Sequence, residues 1–270
     1  MPDPIKKKVT TIEFAAMKSR GEKITMLTAY DYLTASIFDQ AGLDSILVGD
    51  SASNVMQGNA NTLPITVDEM IVYARSVVRA CKRAMVICDM PFGSYQISKT
   101  DALANAVRIM KETGADALKL EGGEEYLDVI SGIIHAGIPV CGHLGLTPQS
   151  VKAFGGFGVR AKEDAEAEKL IRDLKMLENA GCFAVVLEKI PAALAARATA
   201  AVRIPIIGIG AGTEVDGQVL VGQDLLGYDP SFHPKFVRSY ANLNKVITEA
   251  VQAYSADVKS KNFPGPNEQY

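Results

Sequence analysis

The chain lacks the features that mark secreted, membrane-spanning or nucleic-acid-binding proteins. Its four cysteines, Cys81, Cys88, Cys141 and Cys182, show no C-x-x-C spacing, so neither a zinc site nor a disulfide framework is expected. Three of them stand inside apolar runs, where a reduced thiol packs as a small hydrophobe. Long uninterrupted apolar segments are also missing. The positively charged first residues lead into no apolar stretch, and the most apolar later region, 190–211, is broken by Pro191, Arg197, Arg203 and Pro205. Neither secretion nor a membrane partner is expected, which leaves the cytoplasm. Basic residues form no run beyond Lys6-Lys7-Lys8, and 28 Lys plus Arg against 31 Asp plus Glu give a net charge of −3. Nucleic acid is therefore not an expected partner. What is present is an ordinary globular composition, 48% hydrophobic and 22% charged over 270 residues, enough for one domain with a single large core across 1–270.

One junction recurs along the chain. A helix-like segment closes on Ala-Gly or Thr-Gly, a short apolar run follows, and the run stops at a polar or acidic residue. It reads AGLDSILVGD (41–50), TGADALKLE (113–121), AGIPVCGH (136–143) and AGCFAVVLE (180–188). Glycine just past a helix is the usual left-handed cap, and such runs suit strands buried on both faces. ITMLTAY (24–30), AMVICD (84–89), IPIIGIGAG (204–212) and the weaker DLLGYD (224–229) bring the candidate strands to eight. Between them, Leu103, Ala106, Val107 and Met110 follow helical spacing, as do Ala167, Leu170, Ile171, Leu174 and Leu177. Thr66-Val67-Asp68-Glu69 reads as a capping box, and Thr100 as an N-cap. Eight strands alternating with helices predict a (β/α)8 TIM barrel, an α/β fold, with an extra N-terminal helix before residue 24 and the stretch after 235 closing the ring. A doubly wound open sheet is the alternative, but no G-x-G-x-x-G follows the first strand. Ser51 to Pro64 and GGFGVRAK (155–162) read as loops on the catalytic face, the first of them mobile. Residues 256–270 lose periodicity and read as a loose tail.

Barrel enzymes draw their catalytic groups from the C-terminal ends of the strands. The apolar runs end on Asp50, Asp89, Glu121, His143 and Glu188. Carboxylates crowded at one mouth repel and raise each other's pKa, so a cation or a base role is called for. Hard oxygen donors without a Cys or His cluster favour Mg²⁺ over zinc. Strand alternation points Lys119 to the same side as Glu121. Lys119 fits either a charged group that binds an anionic substrate or a Schiff-base lysine, and the nearby carboxylate favours the charged form. A divalent cation, an ammonium and a spare carboxylate suit enolate chemistry on a 2-oxo acid. Glu188, beside Val185, Val186 and Leu187, is the candidate base. His143 carries no assigned step.

Nine stretches together give the chain a resemblance. MLTAYD (26–31), ILVGDS (46–51), TLPITVDEM (62–70), CDMPFGSY (88–95), ALKLEGG (117–123), GHLGLTPQ (142–149), VLEKIP (186–191), IGIGAG (207–212) and DGQVLVGQDLLG (216–227) stand in an order and spacing that resembles the ketopantoate hydroxymethyltransferases. The resemblance implies a barrel of the phosphoenolpyruvate/pyruvate superfamily acting in pantothenate biosynthesis. Such an enzyme moves a one-carbon unit from 5,10-methylenetetrahydrofolate to 3-methyl-2-oxobutanoate, giving 2-dehydropantoate. Carried over by motif, the resemblance implies Mg²⁺ on Asp50, Asp89 and Glu121, and the keto acid on Asp50, Ser51, Asp89 and Lys119. It implies Glu188 as proton acceptor, and a homodecamer as the assembly. Two stretches depart from the family's pattern: GGFGVRAK replaces a bulkier, more polar loop, and GNANTLP (58–64) replaces a more usual G-Y/H-x-x-T-L-P. Both bear on the folate contacts. The rival readings are a lyase or mutase on a small 2-oxo acid, which the missing KKCGH-like cysteine motif weakens, a phosphate-binding barrel suggested by GIGAG, and a catalytically dead scaffold.

Overall fold

The computed structural model describes residues 7–270, so Lys6 of the basic run lies outside the described residues. The chain runs α1 (Thr11–Arg20), β1 (Ile24–Thr28), α2 (Tyr32–Gln40), β2 (Ser45–Val48), α3 (Ala52–Val55), α4 (Val67–Ala80) and β3 (Met85–Asp89). It continues through α5 (Lys99–Thr113), β4 (Ala117–Lys119), α6 (Leu127–His135), β5 (Val140–Gly145), α7 (Val151–Phe154), α8 (Asp164–Ala180) and β6 (Ala184–Glu188). The remaining elements are α9 (Ala192–Ala200), β7 (Ile206–Ile209), β8 (Gly217–Leu220), α10 (Gly222–Leu226) and α11 (Leu243–Ser260). The eight strands close into a parallel barrel in chain order, β8 returning to β1 with Ile24 opposite Gly217. The (β/α)8 expectation holds, and with it the extra helix before the first strand.

Local signals explain most boundaries. Thr66 caps α4 through a full capping box: its hydroxyl accepts from Glu69 N–H while the Glu69 carboxylate accepts from Thr66 N–H at 2.8 Å. Gly114 and Gly181, both in the left-handed region, end α5 and α8. In α5 the cap is Ser98 rather than Thr100, because the Ser98 hydroxyl accepts from Asp101 N–H. The buried face is correspondingly Ala102, Ala106, Ile109 and Thr113, leaving Val107 exposed. The last expected strand also moves. DLLGYD begins in α10, which ends on left-handed Gly227, and the eighth strand is the short run GQVL at 217–220. Gly217 is required there, since a Cβ would stand 2.5 Å from the Ile24 carbonyl oxygen.

The barrel interior is filled by Met26, Leu47, Met85, Ile87, Ala117, Cys141, Ala184, Val186, Ile207 and Val219. At the N-terminal end of the strands α1 stops the barrel with Phe14 and Met17, Phe14 meeting the Phe183 ring edge-on at 5.8 Å. Three acids at this end serve structure. Asp44, Asp116 and Asp216, each just before a strand, accept the backbone N–H of Thr25, Val86 and Ile206 respectively. Asp216 also pairs with Lys18 of α1 at 2.9 Å.

The described residues up to 220 form one compact unit and residues 221–270 a second. The second unit holds α10 and α11. Helix α11 reaches Ser260, five residues into the stretch read as a loose tail, and Tyr254 on it packs edge-on against Phe263 at 5.6 Å.

Candidate active site

Parallel strands deliver their C-terminal residues to one mouth. Asp89 ends β3 and Lys119 ends β4, and the register sets them side by side, with Lys119 Nζ 3.2 Å from Asp89 Oδ1. Asp50 lies two residues past β2, and its backbone N–H donates to Asp89 Oδ2 at 3.0 Å. Glu121 follows β4, where the Gly122 N–H donates to the His143 carbonyl of β5. His143 Nδ1 lies 3.1 Å from Lys119 Nζ and 3.4 Å from Glu121 Oε1. Across the strand pair, His143 Nε2 lies 3.4 Å from Glu188 Oε2. Ser51 hydrogen-bonds through its hydroxyl to Tyr30 at 2.7 Å. Asp50, Asp89, Lys119, Glu121 and His143 are all buried, whereas Ser51 and Glu188 are partly open to solvent. The barrel thus brings the sequence-derived residues to one mouth.

Burial dominates the electrostatics. It raises Asp50 well above the usual carboxylate range, and the charges of Asp89 and Glu121 add to the effect. Glu121 is pushed up to about 7, again by burial first, with the Lys119 ammonium opposing. Burial alone would lower Lys119, but Asp89, Glu121 and Asp50 outweigh it and hold the ammonium charged. A Schiff-base role, which needs a neutral amine, is therefore disfavoured. His143 is lowered by burial and then by Lys119, which keeps the ring neutral. One ammonium faces three carboxyl groups, so the mouth has room for further positive charge.

The donor set suits a hard divalent cation. Glu121 Oε1 is buried without a hydrogen-bond partner, and Asp89 Oδ1, equally buried, faces the Lys119 ammonium at 3.2 Å, so both oxygens keep lone pairs for a further cation. Among the described residues no three His, Cys, Asp or Glu side chains form a ready-made cage. Mg²⁺ needs none, since it takes one or two carboxylates and completes its shell with water and substrate oxygens.

The backbone around Glu188 is tightly specified. Gly145 pairs with it in the β5–β6 register at φ +91°, and a Cβ there would meet the Glu188 carbonyl oxygen at 2.4 Å. Lys189 is held at φ 45°, an uncommon conformation for a residue with a side chain. Its carbonyl accepts from Arg160 N–H at 2.9 Å and its ammonium donates to the Phe157 carbonyl, so the GGFGVRAK loop is anchored to the residue after Glu188. The Ser51 to Pro64 loop is likewise tied down: Ser53 donates to the Asn61 carbonyl and Asn54 to the Asn59 carbonyl, each at 2.8 Å. The side-chain amides of Asn54 and Asn59 both take part in these internal bonds.

Sequence reasoning misses three residues of the site. Gln149 donates from Nε2 to Asp50 Oδ2 at 2.9 Å and to the Met90 carbonyl at 3.0 Å. Its Oε1 accepts from Tyr95 at 2.8 Å and Gln96 at 3.0 Å, and its backbone N–H donates to Glu121 Oε2 at 2.9 Å. Tyr95 in turn accepts from Glu121 N–H. Tyr30 holds Ser51. All three lie within the stretches MLTAYD, CDMPFGSY and GHLGLTPQ; Gln149 and Tyr95 end no apolar run, which is the signal that finds the acids, and Tyr30, which closes ITMLTAY, carries no charge to single it out.

The family described as ketopantoate hydroxymethyltransferase matches residues 8–266. A 3-methyl-2-oxobutanoate hydroxymethyltransferase of Bacteroides thetaiotaomicron is 63% identical over 264 residues, covering 98% of this chain and 97% of that protein. The enzyme of the same description from Flavobacterium johnsoniae is 60% identical with the same coverage. Among solved structures, a phosphonopyruvate hydrolase aligns with a TM-score of 0.62 at 13% identity, covering 97% of this chain and 90% of that one. A 2,3-dimethylmalate lyase of the PEP mutase/isocitrate lyase superfamily aligns with a TM-score of 0.59 at 15% identity, covering 97% and 91%. These two likenesses concern the barrel scaffold alone.

Proposed function

The chain belongs to the ketopantoate hydroxymethyltransferase family, and on that footing we propose that its mouth removes the C3 proton of 3-methyl-2-oxobutanoate with Glu188 and holds the resulting enolate with Lys119, beside carboxylates that would hold a Mg²⁺ ion. The activity is that of a 3-methyl-2-oxobutanoate hydroxymethyltransferase, an enzyme of pantothenate biosynthesis. 5,10-Methylenetetrahydrofolate is the one-carbon donor and 2-dehydropantoate the product. The observation that carries the site reading is the buried Asp50–Asp89–Lys119–Glu121 group with Glu188 at its open edge.

Asp50 and Asp89, with Glu121, would hold the cation, and when bound it supplies charge stabilisation to the carboxylate and ketone oxygens of the keto acid. Lys119 contributes a fixed ammonium that binds the substrate carboxylate while remaining paired with Asp89. Ser51, oriented by Tyr30, offers a hydroxyl to the same substrate. Glu188 takes the C3 proton. C3 then bonds to the methylene carbon of the folate as that carbon's bond to one folate nitrogen breaks. The hydroxyl of one water replaces the remaining carbon–nitrogen bond, and the proton held by Glu188 and the second hydrogen of the water go to the two folate nitrogens, so that tetrahydrofolate leaves.

The buried free thiols Cys88, Cys141 and Cys182 support a reducing compartment, the cytoplasm. Among the described residues no helix is long and apolar enough to cross a membrane.

The test is loss of the C3 hydrogen of 3-methyl-2-oxobutanoate into D₂O, followed by NMR with Mg²⁺ and with EDTA, before methylenetetrahydrofolate is added. Metal-dependent exchange followed by 2-dehydropantoate formation is expected, with E188Q binding the keto acid and losing exchange by about 100-fold or more. Unchanged exchange in E188Q removes Glu188 from the base role, and exchange that survives EDTA removes the cation.

A further inference from the structure

His143 stands on β5 between groups presented by the strands on either side. From β4 and the residues just past it come Lys119 Nζ, 3.1 Å from Nδ1, and Glu121 Oε1, 3.4 Å from Nδ1; from β6 comes Glu188 Oε2, 3.4 Å from Nε2. An ammonium can only donate, so the nearer contact at Nδ1 requires a lone pair there. A neutral imidazole with a lone pair on Nδ1 carries its hydrogen on Nε2. That Nε2 is buried and has no satisfied hydrogen bond, although the Glu188 carboxylate is its neighbour. Hydrogen bonds in substrate-free active sites are commonly this long and tighten when the substrate binds. The same strand fixes the other end of the contact, because Gly145 of β5 seats the Glu188 backbone.

We infer that His143 is a positioning residue for Glu188: Lys119 fixes its ring as the Nε2–H tautomer, and Nε2 donates to Glu188 Oε2 so that the other carboxylate oxygen faces the C3–H of the keto acid. This rests on the reading of Glu188 as base. The ring itself neither gains nor loses a proton. The C3–H bond breaks, its electron pair stays in the enolate, and the proton goes to Glu188.

Two measurements test it. The chain has only three histidines, so long-range ¹H–¹⁵N correlations on the ¹⁵N-histidine-labelled full chain with Mg²⁺ and keto acid read the His143 tautomer directly. An Nε2–H ring is expected, and an Nδ1–H ring, donating to Glu121 instead, overturns the inference. The second measurement compares H143Q with H143N in the C3–H exchange assay. Glutamine places an amide nitrogen near the position of Nε2, whereas asparagine reaches only that of Nδ1. H143Q is expected to stay within about tenfold of wild type and H143N to fall about 100-fold, both keeping the wild-type circular dichroism and keto-acid affinity. Equal rates in the two variants, high or low, overturn the inference. E188Q separates it from its premise: inactive E188Q with wild-type exchange in H143N sinks the His143 role alone, whereas active E188Q removes the base and the inference together.

Discussion

Gln149 links more of the mouth than any residue found from sequence. Its Nε2 faces two acceptors, Asp50 and the Met90 carbonyl, and its Oε1 faces the Tyr95 hydroxyl and the Gln96 amide, so the amide has one satisfied orientation. Its backbone N–H fixes Glu121 at the same time. Two carboxylates proposed to hold Mg²⁺ are therefore aimed by one residue that is not itself a ligand. Support of this kind is commonly worth 10–100-fold in metal affinity. Gln149→Met keeps the volume and removes every side-chain bond. Calorimetric titration of the variant, saturated with keto acid, is expected to show Mg²⁺ affinity weakened by about 10–100-fold. C3–H exchange should recover at high Mg²⁺. Wild-type affinity in the variant would mean that Asp50 and Glu121 hold their positions without it.

Among the elements, α1 has the clearest division of labour. It stops the barrel at the end away from the mouth, burying Phe14 completely and linking Lys18 to Asp216 and to the Ile204 carbonyl. Phe14→Ala is expected to cost about 3–5 kcal/mol, read by chemical denaturation, while exchange per folded molecule stays near wild type. A loss below about 1 kcal/mol would show that the barrel floor repacks around the gap. The helix and seven of the strands are legible in sequence because each strand is a short, mostly buried apolar run. Five follow a left-handed glycine past a helix (Gly21, Gly42, Gly114, Gly137, Gly181), while β3 and β7 follow helices ending on Cys81 and Ala201 and rest on the apolar run alone. Strand β8 is not, since its four residues include Gly217 and an exposed Gln218. The acids divide along the same lines. Asp50, Asp89, Glu121 and Glu188 follow apolar runs and are readable as mouth residues, while Asp44, Asp116 and Asp216 precede them and bond neighbouring strands. Gln149 and Tyr95 escape because their partners are fixed by how loops fold over the mouth, and loop sequences carry no periodicity to reveal that.

At the scale of the whole molecule, the prediction about assembly falls on α11. Ile247, Val251, Tyr254 and Val258 recur at intervals of three or four, one helical stripe, and with Val246 they are exposed. No residue of the helix is buried. A contiguous apolar stripe of this length is uncommon on a monomer, and a contact surface is the expected role. The family resemblance supplies the occupant, further copies of the chain, and a homodecamer as the expected number. Light scattering on the purified protein should therefore give a mass near ten times 28.9 kDa. Val251→Asp should lower that mass, because an aspartate desolvated in an apolar contact has no partner for its charge. It should leave C3–H exchange measurable, since no group assigned to the mouth is replaced. A 28.9 kDa species in the wild-type protein would remove the assembly. An unchanged oligomer in Val251→Asp would move the interface off α11.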